Sequence, residues 1–325
     1  NPNITYIIKS KNFTNSLLRV FWIQFLLPFE LKKLKVDQLF SPMNIGPLII
    51  KLFNIKFILA LHSNLPWVFF NKMPGNIIRN IFTKYIMQFS IRVCDKLIVD
   101  SDYAKNEIAN ILNIKKEKIF VIKLGIDKKF LTNQNSEFYL KNFNYNNYII
   151  SVLSCVKYHN IINLLGGFKL LTEEKNTKIK FVLILQILDK GYFAKIKRFI
   201  KENFKGGEII IFNNLDSKYL INLYRKSIFY IFSSYCEVFG LTSLEAMSQG
   251  CPVIISNKSA LPEINSDAAE YFNPDDKVEI KKSMEKVLFN QDYKANLVEK
   301  GRHHFKKFNW ETTVIETIKV LNISK

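Results

Sequence analysis

A chain of 325 residues, 48% of them apolar, has the length of two ordinary domains and enough apolar mass to bury a core, which excludes a disordered protein. Eleven glycines and nine prolines are too few for a fibrous or low-complexity one. The formal charge is +19, but only six of the 47 basic residues are arginine, so general lysine enrichment accounts for it more simply than a dedicated polyanion site.

The four cysteines (Cys94, Cys155, Cys236, Cys251) show neither paired nor zinc-type spacing, and reduced thiols in a cytoplasmic protein are the plain expectation. No run reaches the ~18 uncharged apolar residues that span a bilayer. Lys51 and Lys56 interrupt the best stretch, 47–61. No compact basic-aromatic motif appears, so nucleic acid is not expected as a partner.

From residue 34 onward short apolar runs alternate with helical periodicity. "VDQLFSPMN" (36–44) reads as a strand and its exit loop, and "GPLIIKLFN" (46–54) as a short helix with Pro47 in its first turn. "KFILALH" (56–62) is a buried strand. Apolar positions 77, 78, 81, 82, 85, 86 and 89 give residues 75–93 the period of an amphipathic helix. A strand (95–101), a helix (103–112) and a strand (118–127) follow. A polar, Asn-rich linker then leads to a second series, with strands at 148–154, 179–185, 208–213, 228–234 and 251–256. Helices are expected at 161–172, 192–203, 216–226, 241–249, 277–289, 291–306 and 310–322. Such alternation predicts an α/β protein with two open parallel sheets, whose ligands sit at the carboxyl ends of the strands.

The chemistry concentrates in "SSYCEVFGLTSLEAMSQGCPVIIS" (233–256). Ser233–Phe239 is the loop leaving a strand, the helix begins near Leu241, and Gly250 and Pro252 punctuate its end. Free N–H groups at that helix start form an anion site. Glu237 precedes it and Glu245 lies about a turn inside. A carboxylate accepts two hydroxyl hydrogen bonds, so the pair suits a molecule with hydroxyls at both ends and phosphates between, as a sugar nucleotide has. On their own, the two glutamates are better explained by favourable placement near a helix dipole.

The surroundings narrow the choice. Glu237, then Phe-Gly-Leu, Leu-Glu-Ala-Met and Gly-Cys-Pro-Val-Ile closely resemble the signature of glycosyltransferase family 4. "SALPEINSDAAEYFNPDD" (259–276) and "FNWETT" (308–313) resemble its later blocks, and "IVDSDYAKNEI" (98–108) and "VIKLGID" (121–127) the closing elements of its N-terminal domain. The resemblance covers 36–325 and is strongest over 215–313. It implies a GT-B fold, two Rossmann-like domains facing across a cleft: an N-terminal acceptor-side domain (1–130), a linker (131–147), a nucleotide-sugar-binding domain (148–307) and a C-terminal helix (308–325). It also implies retaining transfer of a sugar from a nucleotide sugar to a glycan or lipid-linked acceptor, with no metal and no separate cofactor.

By position, the resemblance gives Glu237 the donor-sugar hydroxyls, Glu245 the ribose diol, and the amides of Gly240, Leu241 and Thr242 the diphosphate, with Phe239 also among the substrate-binding residues. His62, in "ALHSNLPW", matches a histidine that reaches the donor sugar; a lone histidine at a strand end is also commonly structural. The family places an Arg and a Lys on the diphosphate. Here "SVLSCVKYHN" (151–160) has Asn160 in register, His159 at the Lys position and no preceding Arg, leaving Lys157 as the nearby cation. The opening "NPNITYIIKS" resembles a later strand of the family, so an N-terminally incomplete chain is expected. Two further readings stay open: a nucleotide-sugar-binding, catalytically weak partner in polysaccharide assembly, and a GT-B epimerase. Contact with an anionic membrane, at the inner face of the cell membrane, is expected from Arg79, Lys84 and Arg92 beside Trp67, Phe69 and Phe70; a solvated helix face reads the same residues equally well.

Overall fold

The computed structural model describes Ile7 and residues 15–131, 139–141 and 143–322. Of the opening strand expected in 1–10, all but Ile7 lies outside the described residues, as does part of the expected linker.

Two parallel sheets form. The first has the order β1-β2-β3-β4, from β1 (Gln38–Ser41), β2 (Lys56–Leu61), β3 (Lys96–Val99) and β4 (Ile119–Val121). The second comprises β5 (Tyr148–Cys155), β6 (Lys180–Ile187), β7 (Ile209–Asn213), β8 (Tyr230–Phe232), β9 (Val253–Ser256) and β10 (Glu270–Phe272), in the order β10-β9-β8-β5-β6-β7. β5 and β6 pair from Tyr148 opposite Lys180 to Cys155 opposite Ile187, and both are buried on both faces, which explains their continuous apolar runs. The strand order turns back between β5 and β8, where Ile150 faces Tyr230. The chain leaving each of these two strands therefore enters the same crevice, where open α/β sheets bind ligands. β10 was not anticipated, because its three residues are too few for a period to show.

In the first sheet the strand alternation separates two cores. Phe57, Leu59 and Leu61 face Met87, Ile91 and Ile108, whereas Ile58, Ala60 and Ile98 face Val320 of the helix Trp310–Leu321. That last helix crosses back from the second domain. Gln38 Nε2 and Lys96 Nζ donate to the carbonyls of Leu321 and Val320 at 3.0 and 2.6 Å. Gly125 permits the crossing: a Cβ there would stand 2.3 Å from the Trp310 backbone nitrogen.

The helix Ile77–Val93 forms where the period places it, but its stripe faces outward. Ile78 is 73% and Phe82 49% exposed, while Asn80, Ile86, Met87, Ser90 and Ile91 face the protein. The inward face mixes Ile86, Met87 and Ile91 with Asn80 and Ser90, and where the helix meets backbone the Ser90 hydroxyl bonds both the amide and the carbonyl of Gly46 at 3.1 and 3.2 Å. A helical stretch absent from the sequence reading, Ser16–Phe21, a π turn Trp22–Leu26 and Leu27–Lys33, packs beside it, with Gln24 Nε2 on the same Gly46 carbonyl at 2.9 Å. It was missed because it is apolar on nearly every side, and Pro28, with no N–H to give, breaks the period where the π turn sits.

Candidate functional site

A cleft of about 440 Å³ opens between the domains at the carboxyl ends of β5, β6 and β8 on one side and β2 on the other. Its floor is the start of the helix Leu241–Ser248. Gly240 occupies the N-cap with φ 89°, and no side chain caps the helix. Only glycine suits that position: the backbone is left-handed, and a Cβ would meet Leu261 Cδ2 at 2.5 Å. The Ser243 hydroxyl, in the first turn, is engaged below the helix start, 2.7 Å from the Gly240 carbonyl and 2.6 Å from Asn265 Oδ1. Gly240, Leu241 and Thr242 line the cleft, so the amides that begin the helix lie beside it, with the positive end of the helix dipole.

Glu237 lines the cleft just before this helix. Its backbone is fixed by the Ser259 hydroxyl, which accepts from Glu237 N at 2.9 Å, and by Ala260 N, which donates to Glu237 O at 3.2 Å. The "SALPE" block thus positions the loop rather than entering the cleft. Glu237 Oε1 lies 3.2 Å from His159 Nε2, and His159 Nδ1 lies 2.7 Å from the Ser154 carbonyl. Both imidazole nitrogens therefore face oxygen atoms, which fix the plane of the ring.

His62 stands across the cleft at the end of β2. Its Nδ1 lies 2.9 Å from both carboxylate oxygens of the buried Asp100, and the Asn44 side chain accepts from its backbone N–H. The Asp100 hydrogen bond raises the His62 pKa, and burial opposes it. Asp100 is itself pushed up by burial, against the pull of His62. With both carboxylate oxygens within hydrogen-bond distance of a single ring nitrogen, the rise at His62 prevails. Asp100 escaped the sequence reading although its signal was present: an acid closing the strand "KLIVD".

The remaining expected residues are placed differently. Thr242 lines the cleft but its hydroxyl pairs with the buried Tyr230 hydroxyl at 2.7 Å. Phe239 is 3% exposed and packs edge-on against Phe308, so only its backbone is near the site. The Asn160 amide donates to the Tyr235 hydroxyl at 3.0 Å and the Pro274 carbonyl at 2.5 Å, and Asn160 takes a left-handed backbone (φ 52°); it ties loops together and does not line the cleft. Lys157 is exposed and also off the lining. Glu245 sits one turn down the helix, outside the lining, where burial pushes its carboxyl up to about 7 despite Lys129 nearby. Among the described residues lining the cleft there is no Lys or Arg. The far end offers Ile184, Leu185, Leu215 and Leu220 with Gln186 and Asn214. Among the described residues no cluster of three or more metal-ligating side chains forms.

The domains are latched beside the cleft. Ser101 Oγ donates to the Val238 carbonyl at 2.7 Å, and both oxygens of Glu263 accept from the first amides of the helix Asp102–Leu112, Asp102 N at 3.0 Å and Tyr103 N at 2.7 Å.

Two parallel α/β domains, joined by a returning C-terminal helix, with a helix N-terminus facing the cleft between them, define a GT-B protein. Solved structures agree on the fold: sucrose-phosphate synthase from Thermosynechococcus elongatus superposes with a TM-score of 0.74 at 18% identity, over 98% of this chain and 80% of that one. A glycosyltransferase from Rickettsia africae gives 0.70 at 17%, over 98% and 83%. Residues 133–304 match the family glycosyl transferases group 1 and residues 4–130 match glycosyltransferase family 4; the chain belongs to the group 1 family. The O-antigen chain mannosyltransferase B of Escherichia coli is 27% identical over 228 residues, 69% of this chain and 59% of that protein. The O-antigen chain mannosyltransferase RfbU of Salmonella typhimurium is 22% identical over 239 residues, 73% and 62%. The chain thus spans about three fifths of the length of these relatives.

Proposed function

We propose that this protein moves a sugar, with retention, from a nucleotide sugar to a glycan or lipid-linked acceptor in cell-surface polysaccharide assembly. The observation that carries it is the uncapped start of Leu241–Ser248 beside the cleft, with Glu237 next to it. The diphosphate rests on the amides of 240–242, Glu237 and His62 hold the sugar, the apolar end with Gln186 and Asn214 holds the base, and Glu245 takes the ribose diol. The acceptor hydroxyl attacks on the face the diphosphate leaves, and a leaving phosphate oxygen takes its proton. The protein supplies position and charge stabilisation through the amides and dipole of the helix start, with the His159 ring lining the cleft beside them. No metal is required in this scheme.

The test is a panel of UDP-, GDP- and ADP-sugars scored by thermal stabilisation, headed by mannose donors because both relatives named above are mannosyltransferases. One donor stabilises the protein, and Glu237→Gln abolishes its turnover. If no donor and no free pyrophosphate stabilises it, the reading fails. The absence of Lys and Arg from the described lining favours one alternative, a partner that binds donor without turnover. Binding without product supports that alternative.

The outward faces of the two neighbouring helical stretches, Phe21, Phe25 and Phe29 on one and Ile78, Phe82 and Phe89 on the other, are exposed. Residues 38–94 contain six basic residues and no acidic one. We read this surface as resting on an anionic membrane. Among the described residues no helix is long and apolar enough to cross one. Co-sedimentation with phosphatidylglycerol vesicles, lost in Phe82→Asp, supports the reading; equal sedimentation with neutral vesicles refutes its electrostatic part.

A further inference from the structure

His62 borders a second cavity as well as the cleft. This one encloses about 430 Å³, within the ~300–1,000 Å³ of small-ligand sites. It lies between the second face of the first sheet, where Phe40, Ala60, Ile98 and Ile122 line it, and the helix Trp310–Leu321, which contributes Trp310 and Val314. Its walls make no polar demand. The Thr313 hydroxyl is satisfied by the Lys123 carbonyl at 2.8 Å, and the Thr317 hydroxyl donates to the Thr313 carbonyl at 2.7 Å. The charged groups at this cavity are the His62–Asp100 pair, and His62 is the residue shared with the cleft.

We propose that this cavity is an acceptor subsite for an apolar group, an alkyl or aryl aglycone attached close to the hydroxyl that receives the sugar. Two features commit the site to that occupant. A wall mostly of aliphatic and aromatic side chains favours hydrocarbon and, away from the His62–Asp100 end, gives a bare sugar little to bond. Continuity through His62 places the polar end of the occupant where the cleft holds the transferred sugar. The proposal rests on the donor reading of the cleft, but its test uses no donor, so either can fail alone.

The assay is tryptophan fluorescence on the whole chain, titrated with phenyl mannoside and with methyl mannoside. Trp310 lines the cavity and is the reporter. Phenyl mannoside changes the emission saturably and binds at least about tenfold tighter than methyl mannoside. The change disappears in Trp310→Phe. Val314→Asp weakens it by at least about tenfold, because a carboxylate then stands in the apolar wall. Val314 is 51% exposed, so that variant keeps its fold, which an unchanged melting temperature verifies. Equal affinity for both glycosides, a response that survives Trp310→Phe, or an unaltered response in Val314→Asp each overturns the proposal. Filling of the cavity by another part of this chain gives no response to either glycoside, and that also overturns it.

Discussion

Glu245→Gln separates what this carboxyl does for function from what it does to stability. The side chain lies a turn below the cleft, where burial pushes its pKa from 4.5 to about 7; Lys129 opposes the rise and Asp127 adds to it. A folded-state value above the unfolded one makes ionisation harder in the native protein. Below the unfolded value both states are protonated and nothing is lost. As pH rises through the interval the unfolded chain releases its proton first, and the native state loses ground until its own carboxyl ionises near 7. Each unit of difference is worth about 1.4 kcal/mol, so the loss amounts to about 3 kcal/mol above that pH. Glutamine is nearly isosteric and carries no such penalty. Urea unfolding of both proteins near pH 5 and near pH 8 is the assay. The variant gains stability relative to the native chain by about 2–3 kcal/mol between the two conditions. It also loses most donor-induced stabilisation, because an amide accepts through one oxygen where the carboxylate accepts through two. A difference between variant and native chain that does not change with pH, or intact donor binding, refutes the reasoning.

Three further outcomes follow from the geometry. Glu263→Ala removes the acceptor of two helix amides and loosens the latch: amides 102 and 103 exchange faster with deuterium, and the scattering radius rises without loss of either domain's secondary structure. Gly125→Ala and Gly240→Ala both destabilise, the first more, because its Cβ meets the Trp310 backbone whereas the Gly240 Cβ meets the movable end of Leu261; about 1–3 kcal/mol is expected at Gly240 from the left-handed backbone alone, read by thermal melting. Asp100→Asn lowers the His62 pKa, seen in a proton NMR titration. Asp100 supports charged His62, so the stability it lends is complete at pH below the ordinary histidine value and fades as pH rises through the raised one.

The sequence carried most of the second domain because its signals are local. β5 and β6 are long apolar runs, and the Glu237–Ser256 stretch holds glycine and proline punctuation at each joint. Placing His159 beside Glu237 needed the tertiary fold. The two lie on loops leaving β5 and β8, whose adjacency is fixed by the strand order and by no feature of either segment. The same limit explains Phe239 and Asn160. Position in a motif gave their neighbourhood, but whether a side chain turns to the core, as Phe239 does against Phe308, depends on what arrives from elsewhere in the chain. The first domain was less legible because its helices are apolar on both sides. A hydrophobic period reports contrast between faces. In Ile77–Val93 the outward face carries Ile78, Phe82 and Phe89 while the inward one interleaves Asn80 and Ser90 with Ile86, Met87 and Ile91, so the faces contrast too little to show which is buried.

In the function proposed above, a cleft with no Lys or Arg in its described lining would meet a diphosphate with amides, a helix dipole and the His159 ring. Glu237 contributes twice. Its carboxylate borders the place where the donor sugar would lie, and its Oε1, 3.2 Å from His159 Nε2, holds that ring in position. A fixed lysine would hold diphosphate independently of Glu237; an imidazole held this way does not. Loss of Glu237 therefore weakens binding of the sugar and of the diphosphate together. His159→Lys should restore diphosphate affinity in a Glu237→Gln background while leaving sugar selectivity impaired. If pyrophosphate binds the single Glu237→Gln variant as well as the native chain, the two roles are separate and the coupling argued from the His159–Glu237 contact is wrong.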